Sequence, residues 1–155
     1  MFIYFAAPLF SQAERDFNLQ LTEKLEEKGH SVFLPQRDGV EFQEPRYSEM
    51  TPDEIRQVIF DTDRDKVLEA DILLIVLDGR VPDEGACIEL GLAYGQKHLL
   101  QRDKFLIGLH TDSRPAFLSA KLNPMVHGSL DYISGNEDDL LSTLEAYCAN
   151  RSNGR

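Results

Sequence analysis

The chain has 155 residues, 42% hydrophobic and 28% charged, the mix of one ordinary globular domain with a core large enough to need no disulfide or structural metal. Lys and Arg number 16 against 27 Asp and Glu, a net charge of −11, which argues against the basic patches that bind nucleic acid polymers or anionic membranes. Cys87 and Cys148 lack metal or redox spacing and the histidines form no HxxxH or HExxH pattern. No metal is expected, and the cysteines read as reduced cytoplasmic thiols. The start has no basic leader region, and the longest apolar run, residues 72–77, is far short of the ~20 residues of a membrane helix.

Phe2–Ala6 is a short apolar run and reads as a buried strand. Residues 11–28 place Ala13, Phe17, Leu21 and Leu25 at intervals of four, a helical stripe with Gly29 as its stop. Residues 31–34 are a second strand, closed by Pro35. Residues 36–50 are polar, with Gly39 and Pro45, and read as a long loop of the kind that covers a site. Thr51-Pro52-Asp53-Glu54 is a capping box with Pro at the first helical position. The helix it opens carries Ile55, Val58, Ile59, Val67 and Leu68, interrupted by the polar run 61–65. Residues 71–78 hold a buried strand, 79–85 a turn-rich loop and 86–98 a helix. Phe105–Leu109 is a fourth strand, 111–125 is irregular, and 126–133 supplies a fifth strand. Residues 136–149 close the domain as a helix with Leu140, Leu141, Leu144 and Tyr147 on its apolar face. The domain is expected over residues 1–150, with 151–155 a flexible tail.

Strands alternating with helices indicate a doubly wound, flavodoxin-like α/β fold: a five-stranded parallel sheet of order 2-1-3-4-5 with helices on both faces. Ligands in such sheets bind beyond the C-terminal strand ends, at the switch between strands 1 and 3. That builds the site from residues 4–10 and 78–89. The first loop, residues 6–11, has no glycine, so a dinucleotide or triphosphate cradle is not expected. Ala6-Ala7 also lacks the acidic pair of a phosphoacceptor domain. The second segment crowds Asp78, Asp83, Glu84 and Glu89 at one strand end. A helix beginning near Gly85 puts Glu89 in its early turns, where the dipole favours the ionised carboxylate. Ile88 and Leu90 on either side make it partly dry, as a nucleophile toward an oxocarbenium-like carbon would be. The same spacing also suits carboxylates that only complement a helix start on a wet surface. Tyr4 reads either as a core tyrosine or as part of the mouth, and Asp63 either as one of a solvated charge run or as a site acid.

The segment Ile3-Tyr4-Phe5-Ala6-Ala7-Pro8-Leu9-Phe10 resembles the opening of the nucleoside 2-deoxyribosyltransferases. Asp83-Glu84-Gly85-Ala86-Cys87-Ile88-Glu89-Leu90-Gly91 resembles their central motif, and Leu122-Asn123-Pro124-Met125 their late Asn-x-Met segment. The three occur in order and span residues 3–125. The resemblance implies a cofactor-free homo-oligomer acting on 2′-deoxynucleosides and free nucleobases. It implies that Glu89 attacks C1′ and holds the sugar covalently, that Tyr4 holds Glu89, and that Asp63 shuttles a proton to the base. It implies that Asp83 and Asn123 bind sugar hydroxyls, with Asn123 and Met125 supplied by a neighbouring subunit. The best-known bacterial members carry Gly and Trp where this chain reads Ala6-Ala7-Pro8-Leu9, which leaves Phe10 as the base-stacking aromatic. Their terminal aromatic carboxylate has no counterpart in Asn153-Gly154-Arg155. Base preference would rest on residues 36–50. A related alternative is a 2′-deoxynucleoside 5′-monophosphate N-glycosidase, which would use Ser11, Arg15 or Arg80 for phosphate. A third is a non-catalytic nucleotide sensor, which the presence of Glu89 disfavours.

Overall fold

A computed structural model describes residues 1–40, 45–113 and 122–153. Its strands are β1 (Phe2–Ala6), β2 (Ser31–Phe33), β3 (Ile72–Val76), β4 (Phe105–Leu109) and β5 (Tyr132–Ser134). Its helices are α1 (Gln12–Glu27), α2 (Pro35–Asp38), α3 (Pro52–Glu69), α4 (Glu84–Leu99), α5 (Pro124–Gly128) and α6 (Glu137–Asn153), with a 3₁₀ turn at Pro45–Tyr47. All strand pairings are parallel, in the order β2-β1-β3-β4-β5. This is the expected doubly wound sheet.

Strand periodicity assigns each side chain to a face. Ile3 and Phe5 of β1 and Ile72, Leu74 and Val76 of β3 pack with Leu21 and Leu25 of α1 and Leu140 and Leu144 of α6. Tyr4, Ala6, Leu73, Ile75 and Leu77 face the other way, onto Val67 of α3 and Ala86, Leu90 and Ala93 of α4. Both faces are covered, so β1 and β3 read as continuous apolar runs.

The helix ends follow their sequence signals. Ser11 and Thr51 each close a capping box, with Glu14 and Glu54. Gly29 takes φ +82° just past α1, where a side chain would be strained. α3 runs unbroken through the polar patch 61–65, with Arg64 paired to Asp61 and Asp65 on its outer side.

Three expectations are corrected. Part of the loop at 36–50 is helical, because Pro35 opens the short α2; residues 41–44 lie outside the described ones. The fifth strand is Tyr132–Ser134 and not 126–133, because Asn123 caps and Pro124 opens α5 over the preceding stretch. The last helix ends at Asn153, past the expected 149 and into the segment read as a tail.

Candidate active site

β1 ends in the loop 7–11 and β3 in the loop 77–83, side by side at the switch point. Period two turns Tyr4 toward α3 and α4, where it is fully buried and stacks on Phe33 at 5.6 Å. Its hydroxyl donates to Glu89 Oε1 at 2.7 Å. Glu89 stands next to the stripe of Ala86, Leu90 and Ala93 that seats α4 on the sheet. Asp63 lies one turn before the buried Val67, on the sheet-facing side of α3. Asp83 is the N-cap of α4, accepting the Ala86 N–H at 2.9 Å.

This environment makes the acids reluctant to ionise. Burial, with smaller contributions from Asp63 and Asp83, pushes Glu89 up to about 7 against the hydrogen bond from Tyr4. Burial alone raises Asp63 to about 6. Tyr4 is pushed well above the ordinary phenol range by burial and by the charges of Glu89 and Asp63, so it remains a donor. The helix-start dipole expected to keep Glu89 ionised is thus outweighed by burial beside two other acids.

Paired carboxyls with raised proton affinity, one of them oriented by a buried phenol, can do nucleophilic and acid–base chemistry together. Among the described residues, no group of His, Cys, Asp and Glu gathers in a way that could hold a metal ion. A family model for nucleoside 2-deoxyribosyltransferase matches residues 3–145. The chain belongs to the nucleoside 2-deoxyribosyltransferase family. Among solved structures it is similar to a conserved protein from Enterococcus faecalis V583, with 27% identity and a TM-score of 0.76 over 95% of this chain and 98% of that one. It shares the fold of the 2-deoxyribosyltransferase from the psychrotolerant Bacillus psychrosaccharolyticus, with 23% identity and a TM-score of 0.70 over 90% of each chain. No curated protein matches it in sequence.

Of the residues that the deoxyribosyltransferase resemblance singles out, Tyr4, Glu89, Asp63 and Asp83 come together. Phe10 stands on the first loop with 76% of its surface exposed. Asn123 caps α5, accepting the Met125 N–H at 2.8 Å, and Met125 is 79% exposed. Among the described residues, no hydrogen bond joins Asn123 or Met125 to Tyr4, Glu89 or Asp63.

Two supports were not read from the sequence. Asp78 accepts the backbone N–H groups of Thr111 and Asp112 at 2.7 and 2.9 Å, and Asp112 in turn accepts the Gly79 N–H at 3.3 Å. This ties the loops after β3 and β4 together. Around the first loop, Glu14, Arg15 and Asn18 of α1 bind its backbone. The Ser11-x-x-Glu14 spacing, a capping-box pattern, is the one local signal that could have pointed to any of this. A cavity of about 530 Å³, lined by Met1, His30, Asp71 and Glu145 among others, opens at the opposite edge of the sheet and takes no part in this site.

Proposed function

We propose that this protein transfers a 2-deoxyribosyl group from one nucleobase to another, with Glu89 as the nucleophile. The observation that carries the reading is the 2.7 Å hydrogen bond from buried Tyr4 to Glu89, placed at the switch point of a deoxyribosyltransferase fold. Tyr4 engages Oε1 and leaves Oε2 to attack. As Oε2 bonds to C1′, the C1′–N bond breaks and its electron pair leaves with the base. Asp63 protonates the departing base nitrogen. A second base then attacks C1′, the ester to Glu89 breaks, and the incoming base's proton passes to Asp63. Displacing twice on one carbon retains the β-configuration and gives ping-pong kinetics.

Asp83 keeps one carboxylate oxygen for a sugar hydroxyl while the other caps α4. Phe10 offers its exposed ring to the base. Asn123 and Met125 complete the site of a second subunit, so the protein works as a homo-oligomer. No metal or organic cofactor takes part, and the setting is the cytoplasm. Of the three groups that the 5′-monophosphate N-glycosidase alternative would use, Ser11 is spent on capping α1 and Arg15 on the carbonyls of Leu9 and Phe10, which weakens it, while Arg80 stands exposed on the loop after β3.

Incubation with thymidine and free adenine tests the reading: a transferase makes deoxyadenosine, a hydrolase only free sugar, and a sensor neither. Glu89→Gln should lose at least ~10³-fold in transfer rate, as removal of a principal transition-state group does. A 2-fluoro-arabinosyl nucleoside should leave an adduct on the peptide that contains Glu89. An adduct on Asp63 or Asp83 instead would overturn the assignment.

A further inference from the structure

The loop that follows β3 is held at both ends. Asp78, half-buried, comes one residue after Leu77 and receives three donors from the chain after β4. Its Oδ1 accepts the N–H of Thr111 at 2.7 Å and of Asp112 at 2.9 Å, and its Oδ2 accepts the Thr111 hydroxyl at 2.5 Å. Asp112 returns the tie by accepting the Gly79 N–H at 3.3 Å. The residues just before the clasp are bonded to the sheet: the Leu77 N–H donates to the Leu109 carbonyl at 2.8 Å and the His110 N–H to the Ser134 carbonyl at 2.9 Å. A carboxylate takes three converging donors without adding one of its own, and bonds to a charged acceptor are the short, strong ones.

At the other end stands Asp83, the N-cap of α4, with Oδ2 on the Ala86 N–H at 2.9 Å. Only residues 79–82 lie between. Gly79 takes φ +118°, where a side chain would be strained, and turns the chain directly after the clasp. Arg80 and Val81 are exposed, and Pro82 has no N–H to donate. The helix fixes one oxygen of Asp83. The direction of the other follows the backbone of this loop, which is anchored at Asp78. Glu89 does not share that dependence, because Tyr4 of β1 holds its Oε1 and buried Ala86, Leu90 and Ala93 seat its helix.

We propose that Asp78 is a positioning residue: by clasping Thr111 and Asp112 it anchors the loop that aims the free oxygen of Asp83 at the sugar of the substrate. The sugar contact rests on the transfer reaction proposed above; the anchoring rests on the contacts of Asp78.

Asp78→Ala removes all three acceptor contacts. Asp78→Asn keeps an oxygen for the two N–H groups, and its amide can donate to the Thr111 hydroxyl. Thymidine–adenine exchange with both concentrations varied gives kcat/KM separately for nucleoside and base in a ping-pong reaction. Asp78→Ala should lower kcat/KM for thymidine by roughly ten- to a hundredfold, mostly through KM, as a misplaced contact group does. The value for adenine, which meets a sugar already bonded to Glu89, should fall much less. Asp78→Asn should restore most of the loss. In an Asp83→Ser background the serine still caps α4 but lacks the second oxygen, so adding Asp78→Ala should cost less than about twofold more. A role in stability alone would scale both constants equally and would multiply with Asp83→Ser; either result overturns the assignment. Thermal melts identify a variant that fails to fold. Should Asp78→Ala be one, Thr111→Val, which removes one donor of the three, decides by the same ratio of constants, with an expected change of about two- to fivefold. Calorimetric titration of thymidine into the Glu89→Gln protein, with and without Asp78→Ala, reads the dependence without turnover. If wild type exchanges the bases and the ratio does not move, only the Asp78 assignment falls. If wild type exchanges nothing, the transfer reading falls and the titration decides on Asp78: weaker binding with the substitution upholds it, and equal affinity or no binding overturns it.

Discussion

Glu89 and Asp63 sit in one small region of low polarity, and their protons follow from it. As the proposed nucleophile Glu89 must be charged, so kcat/KM should fall on the acid side with an apparent pKa near its 7, in a titration coupled to Asp63. Asp63→Asn removes a neighbouring charge that raises Glu89. The acid limb should therefore move to lower pH while the maximal rate drops by about 10²–10⁴-fold from loss of the proposed proton donor. A pH–rate profile checks both, and an unmoved limb would count against the coupling. The same shift bears on stability. An acid whose folded pKa lies above its unfolded value holds more protons when folded, so its contribution falls as pH rises from about 4.5 to about 7. Glu89→Gln cannot ionise, and its amide oxygen can still accept from Tyr4. At about pH 8 it should melt above wild type, by something like 2 kcal/mol of stability, and at about pH 4 the two should nearly coincide. Thermal unfolding at both pH values decides it; a variant less stable than wild type at the higher pH would show that the ionised Glu89 carries no such penalty.

α3 brings Asp63 to the sheet, and its far end is secured by one buried side chain. Lys104, 6% exposed, donates to the carbonyls of Val67 at 3.0 Å, Leu68 at 3.1 Å and Ala70. Burial draws its ammonium down to about 8, and the three carbonyl acceptors favour the charged form at neutral pH. Lys104→Met would leave buried carbonyls unpaired, at a cost of about 2–3 kcal/mol, or roughly 5–10 °C in melting temperature. A melt within a degree of wild type would rule that out. Elements such as β1 and β3 were readable because five apolar residues in a row leave little choice in an α/β chain, and α3 because Thr51 to Glu54 announce its start. β5 was not, since three residues give no periodicity and the capping signal of Asn123-Pro124 took the stretch before it. The site divides in the same way. The switch-point rule finds the segments that hold Tyr4 and Glu89, 85 positions apart. The raised proton affinity of Glu89 was hidden because it depends on how α3, α4 and β1 close around it. The ties through Asp78, Asn18 and Lys104 link groups distant in sequence, which no local spacing reveals.

Across the whole molecule, apolar side chains stay exposed on segments that leave the C-terminal edge of the sheet: Phe10 at 76%, Val81 at 77%, Ile88 at 62% and Met125 at 79%. Isolated exposed residues of this kind need no explanation, but these four stand on the segments that follow β1, β3 and β4, the edge at which such sheets bind ligands. Asn123 uses its oxygen on the Met125 N–H of its own α5. Its amide nitrogen remains for a hydrogen bond that a second subunit's substrate could accept. If each site takes Glu89 from one subunit and Asn123 from another, two inactive variants can repair each other. In a mixed dimer of Glu89→Ala and Asn123→Ala subunits, the Asn123→Ala chain supplies Glu89 and the other chain supplies Asn123. One of the two sites is then intact and the other is doubly defective. Random mixing makes about half the dimers hybrid, so about one quarter of all sites, and of wild-type activity, should return. The measurement is thymidine–adenine exchange after the two inactive preparations are mixed under conditions that let subunits exchange, with hybrids verified by mass. If hybrids form and activity does not return, each site is completed within one chain, and Asn123 acts where it stands.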